Sequence, residues 1–285
     1  MKLSAFVLFI LALSTICLGQ LSETEQAWNQ PVEPFKIAGN IYYVGASDLT
    51  SYLITTPNGH ILLDSGMLQT VPQIKANVAK LGFKFEDIKF LVNSHAHYDH
   101  AGGLAELKRL TGAKLYASDA DAKLLARGGK DDPNFDDKYP FEAVTADTTF
   151  SDGFRLKHGG TVMTALVTPG HTKGCTTWTT EVNDGGQKLK AVFVCSTSAP
   201  GYKLVGNERY PEIVSDYEAT YKRLKALDID IFLASHASAF HLDEKLKIRQ
   251  KGTPSNAFID RSGFLNYLNS TEASFRKLLE SQRAK

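Results

Sequence analysis

Within the stretch NSHAHYDHAGG, four side chains that bind metals well, His95, His97, Asp99 and His100, fall inside six positions. Protonated together, the three imidazoles would repel one another, and the group buries little apolar surface. A cation that takes their lone pairs accounts for the crowding, because imidazole nitrogen and carboxylate oxygen are good zinc donors. Two further histidines stand in comparable places: His171 follows TPG, and His236 follows the apolar run IFLAS. A structural zinc needs four donors, whereas six divide into two sets of three, each leaving room for water and substrate. Two open ions a few ångströms apart form a clamp suited to hydrolysis. Iron or manganese would accept similar donors. The cysteines, Cys17, Cys175 and Cys195, lack zinc-finger spacing.

The donors need strands to hold them. Phe90-Leu91-Val92, Val162 to Val167 and Ile231-Phe232-Leu233 are β-type runs, and each ends shortly before a candidate donor. Loops at the ends of buried strands are common places for sites. Ile37 to Val44 and Ser51 to Thr55 read as paired strands, and a Pro57-Asn58-Gly59 turn leads into ILLD. Helical spacing joins Val71, Ile74, Val78 and Leu81, then Leu104, Leu107 and Leu110, then Val214, Tyr217, Tyr221 and Leu224. Phe264, Leu268, Phe275 and Leu279 mark a C-terminal helix expected to loosen near Thr271. Alternating strands and helices with hairpins between them predict mixed sheets with helices outside. The segment Arg127 to Pro140, rich in Asp and Lys, reads as a solvated surface loop.

Composition sets broad limits. The 285 residues are 43% hydrophobic and 22% charged with a net charge of +1, as in an ordinary globular protein. No basic tract or stripe is present, so neither nucleic acid nor an anionic membrane surface is expected as a partner. Met1-Lys2, the apolar run Leu3 to Ile16 and the small Gly19 predict an export signal over residues 1–19, with one domain over residues 20–285. That apolar run is shorter than the roughly 20 residues of a spanning helix. Export would permit a disulfide. The NDGG turn, Asn183 to Gly186, flanked by Thr176 to Val182 and Leu189 to Val194, brings Cys175 and Cys195 nearly opposite one another. A bridge and two buried thiols are both compatible with that pairing.

HAHYDH is an H-x-H-x-D-H motif. With LLDSG (Leu62 to Gly66), TPGHT around His171 and the strand leading to His236, the chain resembles the metallo-β-lactamase superfamily over nearly its whole length after the signal. The S-x-SAPGY pattern from Ser196 to Tyr202, on a strand tip without a carboxylate, resembles the subclass called B-three, as does TPGHTKGCTTWT. The resemblance implies an α/β fold, a four-layer αββα sandwich of two mixed sheets with helices on the outer faces. It implies two zinc ions, one held by His95, His97 and His171, the other by Asp99, His100 and His236. Asp99 would also orient the attacking water, and Ser196 and Ser198 would offer hydroxyls to the substrate carboxylate.

The implied reaction is hydrolysis of the β-lactam amide of an antibiotic, without an acyl-enzyme, by an exported, periplasmic or secreted enzyme with no protein partner. The alternative is an exported lactone or other ester hydrolase of the same superfamily. A zinc-binding scaffold with a decayed site would have lost ligands, and all six positions are filled. Other residues have plainer readings. Asp64 either orients the histidine loop or makes a turn. His60, His158 and His241 read as surface imidazoles, Trp178 as core and Tyr202 as packing. Strand alternation points Cys195 away from the face that Ser196 presents.

Overall fold

Side chains alternate across each strand, and in this chain both faces of the central strands are apolar. In Tyr52-Leu53-Ile54 and Ile61-Leu62-Leu63, the outer members of each triplet pack in one core and the middle leucines in another. Such strands must be covered on both sides. The computed structural model describes residues 21–252 and 256–285. The export signal of residues 1–19 lies outside the described residues.

The first sheet holds seven strands in sequence order: β1 (Phe35–Ala38), β2 (Ile41–Tyr43), β3 (Tyr52–Ile54), β4 (His60–Leu63), β5 (Ile88–Val92), β6 (Lys114–Ser118) and β7 (Thr148–Phe150). Antiparallel pairing runs from β1 to β4 and parallel pairing from β4 to β7. The second sheet comprises β8 (Arg155–His158), β9 (Thr161–Val167), β10 (Thr176–Asp184), β11 (Gln187–Val194) and β12 (Ile231–Ala234). It is antiparallel except where β11 meets β12. Tyr52 and Ile61 from one sheet meet Ala165, Trp178 and Phe193 from the other in a shared core.

Eight helices complete the described chain: α1 (Glu23–Trp28), α2 (Val71–Lys80), α3 (Tyr98–Ala101), α4 (Leu104–Thr111), α5 (Asp119–Ala126), α6 (Ile213–Lys225), α7 (Leu242–Gln250) and α8 (Arg261–Arg283). Ile74 and Val78 of α2, Leu104 and Leu107 of α4 and Leu124 of α5 cover the outer face of the first sheet. Leu224 of α6 and Phe264 and Leu268 of α8 cover Phe232 on the second. This is the four-layer αββα arrangement of two mixed sheets.

Three local expectations need correction. Ile37 to Val44 is not one strand, because Gly39 takes φ 52° and folds it into the β1–β2 hairpin. Leu110 is 42% exposed, since its position in α4 has rotated off the buried face. The C-terminal helix runs unbroken through Thr271, whose hydroxyl donates back to the Tyr267 carbonyl at 3.0 Å instead of opening the helix.

The β10–β11 hairpin turns on Gly185 and Gly186, both at positive φ. Its register carries Cys175 to a Cα–Cα distance of 5.9 Å from Cys195, and the two form a disulfide. The bond closes a loop of 20 residues in sequence, for which the chain-entropy effect is about 3 kcal/mol. Reduction, or a Cys175→Ser/Cys195→Ser pair, should lower stability by about that amount in urea unfolding. A change below about 0.5 kcal/mol would show the bridge to be mechanically idle.

Candidate metal centre

After β5 the backbone leaves the sheet, and carboxylates take over from ladder bonds. Asp64, in the left-handed region at φ 62°, accepts from the Ser94 N–H at 2.6 Å. Asp121 on α5 accepts from the Ala96 N–H at 2.9 Å. The Ser65 N–H and hydroxyl both donate to the His100 carbonyl, at 2.9 and 2.8 Å. Gly102 ends α3 where any Cβ would strike the Tyr98 carbonyl oxygen, so the short helix can lie against the loop at Met67. The loop that carries His95, His97, Asp99 and His100 is therefore fixed through its backbone at Ser94, Ala96 and His100. Asp64 acts as an orienting residue for this loop, and its turn is part of that role.

His171 approaches from the second sheet. Gly170 before it has φ 133°, and a Cβ there would fall within 2.8 Å of the Tyr217 ring. Thr172 Oγ1 and the Gly174 N–H both donate to Asp121 at 2.9 Å, so one carboxylate ties the His171 loop to the His95 loop. The His171 Nδ1–H donates to the Ser198 carbonyl at 2.8 Å, leaving Nε2 bare. His236, after β12, donates from Nδ1 to Asp48 at 2.9 Å, which turns its Nε2 toward Asp99 and His100.

The inward-facing nitrogens approach one another. His97 Nδ1 and His171 Nε2 are 3.2 Å apart, and donor atoms of His95, His97 and His171 all lie within 4.8 Å of one another. His95 Nε2 is buried with no partner. Nearby, Asp99 Oδ2, His100 Nε2 and His236 Nε2 form a triangle with sides of 3.3, 3.2 and 3.4 Å. Donors bound at about 2.05 Å around a tetrahedral ion are about 3.3 Å apart, so the second triangle has the dimensions of one face of such a site. The donor chemistry fits zinc at both groups.

Protonation states differ between the two groups. Burial, with neighbouring imidazoles, holds His95 well below its ordinary value, and burial brings His171 down to about 3. Both are neutral at pH 7, the state that metal binding requires. Burial opposes the charge of Asp99, yet His100 and His236 hold it well below the usual carboxylate range. Burial also opposes a charge on His236, but the Asp48 and Asp99 carboxylates raise it to about 10, so at pH 7 the ring is protonated and a binding cation must displace its Nε2 proton. Cys175 and Cys195 come within 4.8 Å of a His95 donor, but their sulfurs are consumed by their bond.

A cavity of about 410 Å³ opens on these groups. Trp28, Phe135 and Tyr139 supply aromatic walls, and Ser196, Ser198 and Pro200 line it from the strand tip. A larger groove of about 540 Å³ crosses the outer face of the second sheet, lined in part by Val162, Thr164 and Leu166, but it holds no comparable cluster of donors. The tip itself is tightly held: Tyr217 and Tyr221 donate to the Ser198 and Thr197 carbonyls at 2.6 and 2.7 Å. Ser196 Oγ lies 3.1 Å from Ser198 Oγ.

The segment Arg127 to Pro140 is not simply a solvated surface. Asp132 is buried, accepts from the Asn134 and Phe135 N–H groups at 2.7 and 2.8 Å, and lies 3.5 Å from His97 Nε2. Phe135 packs against the His97 ring at 5.1 Å. His60 is likewise buried, against Phe83, where its Nδ1 accepts from the Thr56 N–H at 3.3 Å. His158 caps the Asn58 carbonyl at 3.0 Å, and His241 precedes α7; neither reaches the cluster. Trp178 is core. Tyr202 is also buried, but its hydroxyl touches the site by donating to the His171 carbonyl at 3.1 Å. Asp48, Asp121 and Trp28 have no mark in the sequence that separates them from other residues of their kind.

The sequence model of the metallo-beta-lactamase superfamily matches residues 44–236. The native FEZ-1 metallo-beta-lactamase from Legionella gormanii is 46% identical over 90% of this chain and 99% of its own, with a TM-score of 0.88. The class B3 di-zinc metallo-beta-lactamase LRA-12 from an Alaskan soil metagenome is 37% identical over 88% of this chain and 96% of its own, with a TM-score of 0.82. A hydroxyacylglutathione hydrolase from Rhodopseudomonas palustris is 32% identical over 127 residues, 44% of this chain and 41% of that protein. The chain spans less than half the length of the curated relatives it matches.

Proposed function

The chain belongs to the metallo-beta-lactamase superfamily, and within it we propose a zinc-dependent β-lactamase that opens the β-lactam amide by direct attack of water. The observation that carries this reading is the pair of donor groups, one with its donors within 4.8 Å of one another and the other with spacings of 3.2 to 3.4 Å, beside a serine-bearing strand tip. His95, His97 and His171 would hold one zinc, and Asp99, His100 and His236 the other. Two such ions supply an activated water at neutral pH and polarise the carbonyl under attack.

The rest of the chemistry belongs to side chains. Asp99, kept ionised, can accept a hydrogen bond from the attacking water and orient it. Ser196 and Ser198 offer hydroxyls to the substrate carboxylate, while Trp28, Phe135 and Tyr139 exclude water from the bound ring system. Ser196 Oγ has Ser198 Oγ and the Ser198 N–H as its partners, at 3.1 and 3.3 Å, and no imidazole is bonded to it. It therefore has no base to make it a nucleophile, which supports hydrolysis without an acyl-enzyme. The disulfide suits an oxidising compartment, so we place the enzyme outside the cytoplasm. Among the described residues no helix is long and apolar enough to cross a membrane.

A substrate panel tests this directly: a chromogenic cephalosporin, a penicillin and a carbapenem against a lactone and a glutathione thioester. The expected result is β-lactam hydrolysis with kcat/KM of about 10⁴ M⁻¹s⁻¹ or higher. Ser196→Ala should raise KM about tenfold and leave kcat nearly unchanged, since it removes one hydrogen bond to a charged group. Turnover of the ester or thioester alone would overturn the β-lactamase reading in favour of another hydrolase of the superfamily, a reading the hydroxyacylglutathione hydrolase relative keeps in view.

A further inference from the structure

Each imidazole that faces inward has a second nitrogen facing out, and what meets that nitrogen differs from ring to ring. Ser94 Oγ lies 2.9 Å from His95 Nδ1, and the Ser198 carbonyl 2.8 Å from His171 Nδ1. Asp132 Oδ2 is 3.5 Å from His97 Nε2, too far for a sound hydrogen bond. His100 Nδ1 is buried without a partner. His236 alone among these five has a carboxylate in hydrogen-bond contact, Asp48 Oδ2 at 2.9 Å.

Asp48 is held on every side. Its Oδ1 accepts from the Ser238 N–H at 2.7 Å, so the carboxylate cannot turn away. Its own N–H donates to the Trp28 carbonyl at 2.9 Å, and its carbonyl accepts from the Ala237 N–H at 2.8 Å. The residue is thus sewn to the segment just after His236 and to the end of α1, whose Trp28 packs edge-on against the His236 ring at 5.6 Å. A flexible surface residue would not carry four such bonds, two of them to its carboxylate.

We propose that Asp48 is a positioning residue dedicated to the second donor set: it holds the His236 Nδ1–H so that Nε2 is the ligating nitrogen, raises its basicity, and so governs occupancy of that set without touching ion or substrate. A carboxylate behind a ligating histidine does both. The inference rests on the two-metal reading above. It separates the sets, because in the first the groups within hydrogen-bond contact are a serine hydroxyl and a backbone carbonyl, with the Asp132 carboxylate standing off at 3.5 Å, while in the second a carboxylate bonds His236 directly.

The test is zinc titration of metal-free protein by native mass spectrometry, with visible spectra of the cobalt-substituted forms. Wild type should bind two ions. Asp48→Asn keeps the shape and removes the charge; it should weaken one of the two ions by about 10- to 100-fold and leave the other unchanged. The double variant His171→Ala/Asp48→Asn should lose the ion that His171→Ala alone retains, which assigns the effect to the second set. The unfolding midpoint of metal-free Asp48→Asn should stay close to wild type; should it fall, Asp48→Glu, which restores the charge, should recover the second ion. Equal affinity for both ions in wild type and Asp48→Asn overturns the inference and leaves the two-metal reading standing. Equal weakening of both ions makes Asp48 a general structural residue and also overturns it. Fewer than two ions on wild type overturns the two-metal reading and this inference with it.

Discussion

Stripping the protein with a chelator should silence it: turnover of a carbapenem is expected to fall by about 10³-fold or more, and added zinc should restore it. The size follows from what remains when the ions are gone. Water with a pKa of about 15.7 replaces one near 7, so the concentration of hydroxide available at neutral pH collapses. No side chain can stand in. Ser196 is bonded to Ser198 rather than to a base, and Ser198 spends its carbonyl on His171. His95 and His171, held neutral by burial, point their bare nitrogens at other donors and have no protein proton to take. Rates measured beside metal analysis of the same sample decide the matter. Full activity in a sample with under a tenth of an equivalent of metal would remove the basis of the proposed reaction.

Asp121→Ala is expected to cost about 3 kcal/mol of stability and at least tenfold in kcat/KM. The carboxylate serves three buried donors, the Ala96 and Gly174 N–H groups and the Thr172 hydroxyl. Leaving such donors unpaired costs about 1–3 kcal/mol each, offset by removing a charge from a buried place. That charge is costly: burial lifts Asp121 to about 6, above the ordinary 3.8. The folded state therefore favours the protonated acid, and this group's contribution to stability is full below the ordinary value and declines as pH rises through about 6. The alanine variant should lose that slope as well. Activity falls because Asp121 ties the His95–His97 loop to the His171 loop, and a small drift of either one spoils a spacing of 3.2 Å. Urea unfolding of the metal-free forms at pH 5 and pH 7 measures both effects. A difference under 0.5 kcal/mol at each pH would show the tie to be dispensable.

The six candidate donors were legible because ligand chemistry restricts residue type. Histidines two and then three positions apart after an apolar run are uncommon unless something binds them, and strand ends tell where they stand. The supporting carboxylates were not legible. Asp121 lies in DADAK beside Asp119, the same residue type on the same helix; one is buried between two loops and the other bonds the Ser151 hydroxyl near the surface. Helix periodicity gives the face, but only the partner loops say which carboxylate meets an N–H. Arg127 to Pro140 misled for the opposite reason. Its charges are mostly solvated, as composition implies, yet Asp132 and Phe135 turn inward because the Asp132 carboxylate caps the turn from Asn134 to Phe135. Thr271 misled through propensity alone, since a β-branched residue is a poor helix former until its hydroxyl finds a backbone carbonyl. The disulfide was half legible: the Gly185-Gly186 turn fixes the register, and only coordinates show that the two Cβ atoms point the same way.

His95, His97, Asp99 and His100 hang from the seven-stranded sheet, while His171 and His236 hang from the five-stranded one, so each proposed trio borrows from both. A nascent chain that has emerged only through residue 160 owns four donors and neither finished trio. The proposed centre would therefore be complete only once the halves have docked, and tight ion capture would come after the fold is committed. An ion arriving early finds loose, replaceable contacts, and has little power to freeze the polypeptide in a wrong shape.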